Sequence, residues 1–269
     1  MGHKIVWITG ASSGIGEAVS LEYAQRGAKI ILSARREEEL NRVREALINQ
    51  TGRPDDYVIL PLDVTDFDGM DKKVQAAFSF FGRVDLLFNN AGISQRSKAI
   101  DTDMDTYRKL FEVDVFGQIA LTKQVLPLMM KQGQGHLAVT SSIAGKVGVP
   151  YRTGYCAAKH AMMGFFDALR AETVDQNIIV SCVIPGFIKT SIAENSVSGD
   201  GSRFGQKDAV IENGMPADQA ARVIVNGFES QKKEIPVGRG SEMKALWVKR
   251  LFPELVYKMA AKMGAPKKT

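Results

Sequence analysis

The chain is poor in the residues that build metal or disulfide frameworks: it has two cysteines and three histidines in 269 residues. Cys156 and Cys182 make no CxxC pair, and none of His3, His136 and His160 has a partner at ligand spacing. No disulfide scaffold, zinc site or other metal is therefore expected, and a reducing compartment suits this usage. Long hydrophobic runs are missing too. The apolar run at 5–8 is far too short to span a bilayer, and no small-residue cleavage site follows it. A Met-Gly start can signal myristoylation, but Val6 stands where Ser or Thr is wanted. A cytoplasmic location is expected. Low-complexity linkers, internal repeats and composition breaks are also lacking, which argues for one domain.

Charge of one sign is scarce except at the end. From Arg239 onward there are eight basic residues to two acidic ones, a net of +6, against +5 for the whole chain. The body is near neutral, which argues against a basic nucleic-acid binder. What is present is an ordinary globular composition, 45% hydrophobic, enough for a substantial core.

Short β-branched runs at 5–8, 29–32, 57–61, 84–88, 135–140, 178–184 and 234–237 alternate with stretches of helical period. The latter lie near 14–27, 36–50, 67–81, 104–131, 153–176, 217–230 and 241–262. Most of the strands are continuous Val/Ile/Leu runs, as in a parallel sheet covered on both faces. The alternation predicts an α/β, Rossmann-type, doubly wound parallel sheet in three layers over residues 1–240. Within it, 191–214 is rich in Gly, Ser, Asp and Asn and offers few apolar anchors, the mark of a substrate-side loop that moves. Residues 241–269 form a basic amphipathic extension. Its Leu246, Trp247, Leu251, Phe252, Leu255, Val256, Met259 and Met263 recur at helical spacing, and Pro253 should divide it into two helices. It should pack over the substrate cleft or on a partner subunit; a solvated amphipathic end and a weak peripheral membrane contact are the alternatives, the latter because its lysines, Trp and Phe also suit an anionic interface.

The segment from Thr9 through Gly10, Ala11, Ser12, Ser13, Gly14 and Ile15 to Gly16 follows the first strand and opens the first helix. Glycines there permit a tight turn and close approach of backbone to a pyrophosphate, and the helix N-terminus favours anions. Strand two ends in Ser33-Ala34-Arg35-Arg36, with no carboxylate before Glu37. A carboxylate would repel a 2′-phosphate, whereas Ser33, Arg35 and Arg36 can bind it, so NADP(H) is favoured over NAD(H).

Further along, Ser141-Ser142-Ile143-Ala144-Gly145 ends the fifth strand, and Tyr155-Cys156-Ala157-Ala158-Lys159 lies in the next helix. The i,i+4 spacing puts Tyr155 and Lys159 on one face, where an ammonium favours the phenolate of a neighbouring tyrosine. Ser142 can donate to a substrate oxygen.

Taken with Asn89-Asn90-Ala91-Gly92 after strand four and Pro185-Gly186 after strand six, these motifs resemble, in order, those of short-chain dehydrogenases/reductases. The resemblance covers residues 4 to about 237. It implies seven parallel strands and reversible hydride transfer at an alcohol or carbonyl carbon. It also implies site roles: Gly10, Ser12, Ser13, Gly14, Ile15 and Gly16 at the pyrophosphate, with Ser33, Arg35 and Arg36 near the 2′-phosphate. Asp63 would hold the adenine amine with Val64 beside it. Asn89, Ala91 and Gly92 would lie along the ribose, with Val113 near the second ribose. Pro185, Gly186, Ile188 and Thr190 would form the nicotinamide-side wall. Tyr155 is the implied acid/base, Lys159 its electrostatic partner and ribose ligand, and Ser142 the group that orients the substrate oxygen.

One position departs from the family. Its fourth catalytic residue is an Asn, and here the site reads Val113-Asp114-Val115-Phe116-Gly117. Asp114 can shape the helix and let a main-chain carbonyl hold the relay water, but it donates no amide hydrogen bond. The stretches at 134–136, 155–166 and 198–205 further resemble the member-7 group of dehydrogenase/reductase proteins. That group carries an N-terminal membrane anchor, which is not read in this chain. The expected activity is NADP-dependent oxidoreduction of an apolar carbonyl or secondary alcohol by a homodimer or homotetramer. A dinucleotide-sensing protein with little turnover is the alternative.

Overall fold

The structure is a computed structural model that describes residues 3–262. Met1, Gly2 and 263–269, with Met263, Lys267 and Lys268 of the expected tail, lie outside the described residues. In chain order the first half comprises β1 (Ile5–Thr9), α1 (Gly14–Gln25), β2 (Lys29–Ser33), α2 (Glu37–Thr51), β3 (Tyr57–Ile59), α3 (Met70–Phe81) and β4 (Leu86–Asn89). There follow α4 (Met104–Phe111), α5 (Gly117–Lys131), β5 (Gly135–Thr140), α6 (Thr153–Glu172), β6 (Ile178–Pro185), β7 (Ile188–Lys189) and α7 (Ala209–Glu212). The chain ends with β8 (Met215–Pro216), α8 (Ala217–Glu229), β9 (Glu234–Val237), α9 (Lys244–Leu251) and α10 (Pro253–Ala261).

Seven strands pair in the order β3-β2-β1-β4-β5-β6-β9, every neighbour parallel, as the alternating pattern predicts. Alternation along β1 shows why both faces are apolar. Val6 and Ile8 join the core under α1, α2 and α8, while Ile5 and Trp7 join the core under α3, α5 and α6. Phe88 of β4 meets Phe228 of α8 edge to face, with centroids 5.2 Å apart. From β1 the chain winds outward to β3, then crosses back to β4 on the other side of β1. This reversal opens a crevice at the carboxyl ends of β1 and β4, where α/β sheets bind ligands.

Three expectations need correction. The helix at 104–131 is not continuous: a π-helical turn, Glu112–Phe116, separates α4 from α5 and carries Asp114. Its wider turn shifts the register at one point, a change the apolar period does not reveal. Strand three is shorter than its apolar run. Finally, 191–214 has anchors: Ala193, Val197 and Ile211 are buried, and Val197 exchanges main-chain bonds with Ser94 and Arg96 at 2.8 and 2.9 Å. Its anchors are irregularly spaced and partly main-chain, so side-chain periodicity missed them.

The tail divides at Pro253, the first residue of α10. Val256 is buried against Ile143 and Val147, while Trp247, Leu251, Phe252, Leu255, Tyr257 and Met259 are exposed. No described helix is long and apolar enough to cross a membrane.

Candidate active site

At the crevice the glycine turn is held between two strand ends. Gly10 and Gly14 have φ of +63° and +61°, which side-chain-bearing residues avoid. A Cβ on Gly16 would run into the Gly10 carbonyl, and one on Gly10 would lie 2.9 Å from Ala91 Cα. Asn90 is the clamp. Its Nδ2 donates to the Thr9 and Gly10 carbonyls at 3.2 and 3.3 Å, while its Oδ1 accepts from Thr140 Oγ1 at 3.0 Å. Ser13 precedes α1 in extended conformation without a side-chain cap, so no side chain of its own takes the helix's first N–H groups. Ser12 is buried, Ile15 is half-buried against the core, and Thr190 stands against Gly14.

The 2′-phosphate reading changes at Ser33. Its hydroxyl donates to the Leu60 carbonyl at 2.7 Å, accepts from Trp7 Nε1 at 2.9 Å, and is fully buried. It is a core residue, not a phosphate ligand. Arg35 and Arg36 are exposed at the start of α2. Arg42, which the sequence reading missed, bonds Glu17 with both terminal nitrogens (2.8 and 3.0 Å) and the Ser12 carbonyl at 3.2 Å.

Asn89 also differs from expectation. Its side chain turns inward, Nδ2 donating to Thr122 Oγ1 at 3.1 Å, so only its backbone remains at the strand end. Asp63 Oδ1 accepts from the Thr65 N–H and hydroxyl at 3.0 and 2.8 Å, a turn arrangement. Val64 is buried, and its carbonyl would meet any Cβ on Gly117, so α5 packs directly on this turn. Ala91 is fixed by Thr9 Oγ1 (3.1 Å) and Gln118 Nε2 (2.6 Å). Val113 packs on the core of that face.

Tyr155 and Lys159 are neighbours on α6, as their i,i+4 spacing predicts. Ser142 begins a 3₁₀ turn, Ile143–Gly145; its Oγ accepts from Ala144 N at 3.1 Å and reaches the Pro185 carbonyl at 3.5 Å. Tyr155 packs on Ala144 in the same turn. Among the described residues no group hydrogen-bonds the Tyr155 hydroxyl, so it is not committed to the protein. Lys159 Nζ lies 5.6 Å from the Tyr155 ring centre and donates to the Thr140 carbonyl at 3.0 Å. Asp114 joins them: its Oδ2 is 3.3 Å from Lys159 Nζ, and its Oδ1 accepts from Ile93 N at 2.7 Å. Burial pushes this carboxyl up from its ordinary range, and the Lys159 charge and the Ile93 N–H only partly offset that. A Cβ on Gly92 would sit 3.2 Å from Asp114 and 3.4 Å from Lys159, so Gly92 lets the loop close over the pair. Pro185 is buried at the end of β6, Gly186 donates to the Val237 carbonyl at 2.8 Å, and Ile188 is buried in β7.

Other candidates are structural. Met129, Met162 and Met163 fill the core. The Cys156 thiol is pushed up by burial and accepts from Val149 N. His136 bonds Ser181 Oγ at 2.8 Å beneath the sheet. Among the described residues no group of His, Cys, Asp or Glu could hold a metal.

The sequence matches the short chain dehydrogenase family model over residues 4–201. The chain belongs to this family. It is similar to human dehydrogenase/reductase SDR family member 7, with 38% identity over 97% of the chain and 77% of that protein. Among solved structures it is similar to a short-chain dehydrogenase/reductase from Burkholderia phymatum in complex with NAD, with a TM-score of 0.81, 23% identity, and coverage of 99% and 97%. It is similar also to one from Sphingobium yanoikuyae in complex with NADPH, with a TM-score of 0.77, 21% identity, and coverage of 99% and 98%. At these identities the two structures speak for the fold.

The crevice of this short-chain dehydrogenase fits a dinucleotide. Three glycines leave room that a Cβ would fill, a helix N-terminus opens beside them, and two exposed arginines flank the end of β2.

Proposed function

We propose that this short-chain dehydrogenase is an NADP(H)-dependent oxidoreductase acting on CH–OH groups, converting an apolar carbonyl and its secondary alcohol. The observation that carries the reading is the uncommitted hydroxyl of Tyr155, whose ring faces buried Lys159 and packs on Ala144 in the turn that buried Ser142 begins. The residues that would hold the cofactor are Gly10, Ser12, Ser13, Gly14, Ile15 and Gly16 around the pyrophosphate, with Arg35 and Arg36 at the 2′-phosphate. Asp63 and Val64 border the adenine; the Asn89 backbone, Ala91, Gly92 and Val113 follow the riboses. Pro185, Gly186, Ile188 and Thr190 back the nicotinamide. When bound, the cofactor supplies or accepts a hydride at the carbonyl carbon.

In reduction, Tyr155 donates its hydroxyl proton to the carbonyl oxygen, and in oxidation the phenolate takes the alcohol's proton. Lys159 favours the phenolate by its charge, and Ser142 donates to the substrate oxygen. The tail contributes to the substrate side, because Val256 packs on Ile143 and Val147 immediately after Ser142. Its exposed apolar residues suit a second copy of the chain in a homodimer or homotetramer, or a weak membrane contact. A cytoplasmic site of action goes with this reading.

The Asp114–Lys159 pair favours a second reading, a dinucleotide-binding protein with little turnover, since it draws on the charge that should serve Tyr155. A panel of apolar ketones, aldehydes and secondary alcohols followed by NADPH absorbance separates the two. Turnover on several members is expected; binding of NADPH without turnover on any would favour the second reading.

A further inference from the structure

The tail turns one side to the candidate active site and leaves the other uncovered. At its start Glu242 and Met243 close over the turn after β6: a Cβ on Gly186 would lie 2.8 Å from Glu242 Oε1 and 2.8 Å from Met243 Sδ. Further on, Ala245, Leu246 and Val248 of α9 pack with Val256 of α10 around Ile143 and Val147. The tail is thereby seated on two loops of the site, the one after β5 that carries Ser142 and the one after β6 that carries Gly186.

The uncovered side is apolar. On α9, Trp247 and Leu251 stand one turn apart and are both exposed, Trp247 by 72%. On α10, Leu255 and Met259 are likewise one turn apart and exposed, and Phe252 projects at the joint between the helices. Leu251, Phe252 and Leu255 share one shallow groove with Pro253, Glu254 and Lys258. The corner is braced by Lys249, whose Nζ donates to the Tyr257 hydroxyl at 2.9 Å and lies 4.0 Å from its ring centre. Single exposed apolar residues are ordinary, but a group of them on adjoining helices marks a contact surface.

Cations frame this surface. Lys244 and Arg250 flank Trp247 around α9, and Lys258 and Lys262 follow Leu255 by three and seven positions, on its own side of α10; all four are exposed. Residues 241–262 contain five basic side chains and two acidic ones. One of those acids, Glu242, is turned back on the main chain, its Oε1 accepting from Gly240 N at 3.2 Å.

That charge decides between occupants. A two-fold contact between copies sets a patch against its own likeness, and here cations would meet cations. An anionic lipid layer is the complement. With eight and nine residues, α9 and α10 are too short to cross a bilayer, and helices with a Trp- and Phe-bearing apolar side framed by Lys and Arg lie in its headgroup region.

We propose that the α9–α10 corner docks on an anionic lipid surface, with Trp247, Leu251, Phe252 and Leu255 entering the headgroup region and Arg250, Lys258 and Lys262 meeting lipid phosphates. Because the other side of the tail sits on the loops carrying Ser142 and Gly186, the docked protein holds its substrate side next to the lipid, where apolar carbonyls and alcohols concentrate. This consequence rests on the substrate reading above; the docking does not.

The chain has two tryptophans, and Trp7 is fully buried, so a change of emission on lipid contact reports Trp247. Full-length protein should sediment with vesicles of equal parts phosphatidylcholine and phosphatidylglycerol, with a blue shift that Trp247→Phe removes. Vesicles of phosphatidylcholine alone should bind at least ~10-fold more weakly, and Arg250→Glu with Lys258→Glu should cost at least ~10-fold on the anionic vesicles. Leu251→Ser with Phe252→Ser, also confined to exposed positions, should abolish the blue shift.

Absence of sedimentation with the anionic vesicles, or a charge-reversed variant that binds them as wild type does, overturns the proposal. So does a blue shift without lipid that grows with protein concentration together with dimer formation and is lost in the Leu251→Ser, Phe252→Ser variant, because a second copy then covers the corner. NADPH oxidation on the carbonyl panel, measured without lipid, keeps the two readings apart. Docking without turnover counts against the oxidoreductase reading alone, and turnover without docking against this one.

Discussion

The carboxylate of Asp114 and the ammonium of Lys159 face each other at 3.3 Å with both side chains buried. An amide at position 114 would leave Lys159 its whole charge, whereas a carboxylate takes a share of it. The pairing sits on a π-helical turn that aims residue 114 at α6.

Asp114→Asn should therefore strengthen the hold of Lys159 on the Tyr155 phenolate. The acid limb of the oxidative pH–rate profile should move to lower pH by about one unit. Stability follows a defined sign. Burial raises this carboxyl, so the folded state binds its proton more tightly than the unfolded chain does, and that contribution is lost as pH rises from the ordinary Asp value near 4 through the folded value. The melting temperature of Asp114→Asn minus that of wild type should rise with pH across this window. A difference that falls or stays flat contradicts the assignment.

Cofactor preference should depend on Arg35 and Arg36 and not on Ser33. Replacing both arginines with Ala should reduce the NADPH-over-NADH preference at least ~10-fold, or about 1.4 kcal/mol. Ser33→Ala should leave the preference alone but cost ~1–3 kcal/mol of stability, because Trp7 Nε1 and the Leu60 carbonyl lose their partner. Fluorescence titration of both cofactors, with urea unfolding of the Ser33 variant, separates the two effects.

Much of this was readable before the fold. Continuous apolar runs announced buried parallel strands, and i,i+4 spacing brought Lys159 to Tyr155. Ser33 was misread although its parity was available: along β2 it shares a face with Ile31, which points into the core with Trp7. Asn90 was passed over for Asn89 for the same reason, since adjacent strand residues face opposite ways and motif matching does not say which is the clamp. The Arg96–Asp208 tie spans 112 residues and joins two loops, so no local period carries it. The π turn was hidden because the apolar pattern of α4 and α5 continues on either side of it.

His136 should make the fold acid-sensitive. Burial pulls its pKa from 6.5 down to about 3, with the charge of Lys4 adding to this. A histidine kept neutral on folding contributes stability that is fully present above the unfolded value. That stability is lost as pH falls from 6.5 toward 3, at about 1.4 kcal/mol per pH unit. His136→Gln, which keeps a hydrogen-bonding side chain near Ser181, should lose less stability than wild type between pH 6.5 and pH 5. Urea unfolding at the two pH values measures the difference, and equal losses would remove His136 as the cause.

In the proposed reaction the Tyr155 hydroxyl moves the proton at the reacting oxygen. Its most direct test is the single-turnover rate of Tyr155→Phe with NADPH and whichever carbonyl of the panel wild type reduces fastest. The rate should fall at least ~100-fold while NADPH affinity stays within about threefold of wild type. A rate close to that of wild type, with the cofactor still bound, would rule Tyr155 out as the proton-transfer group.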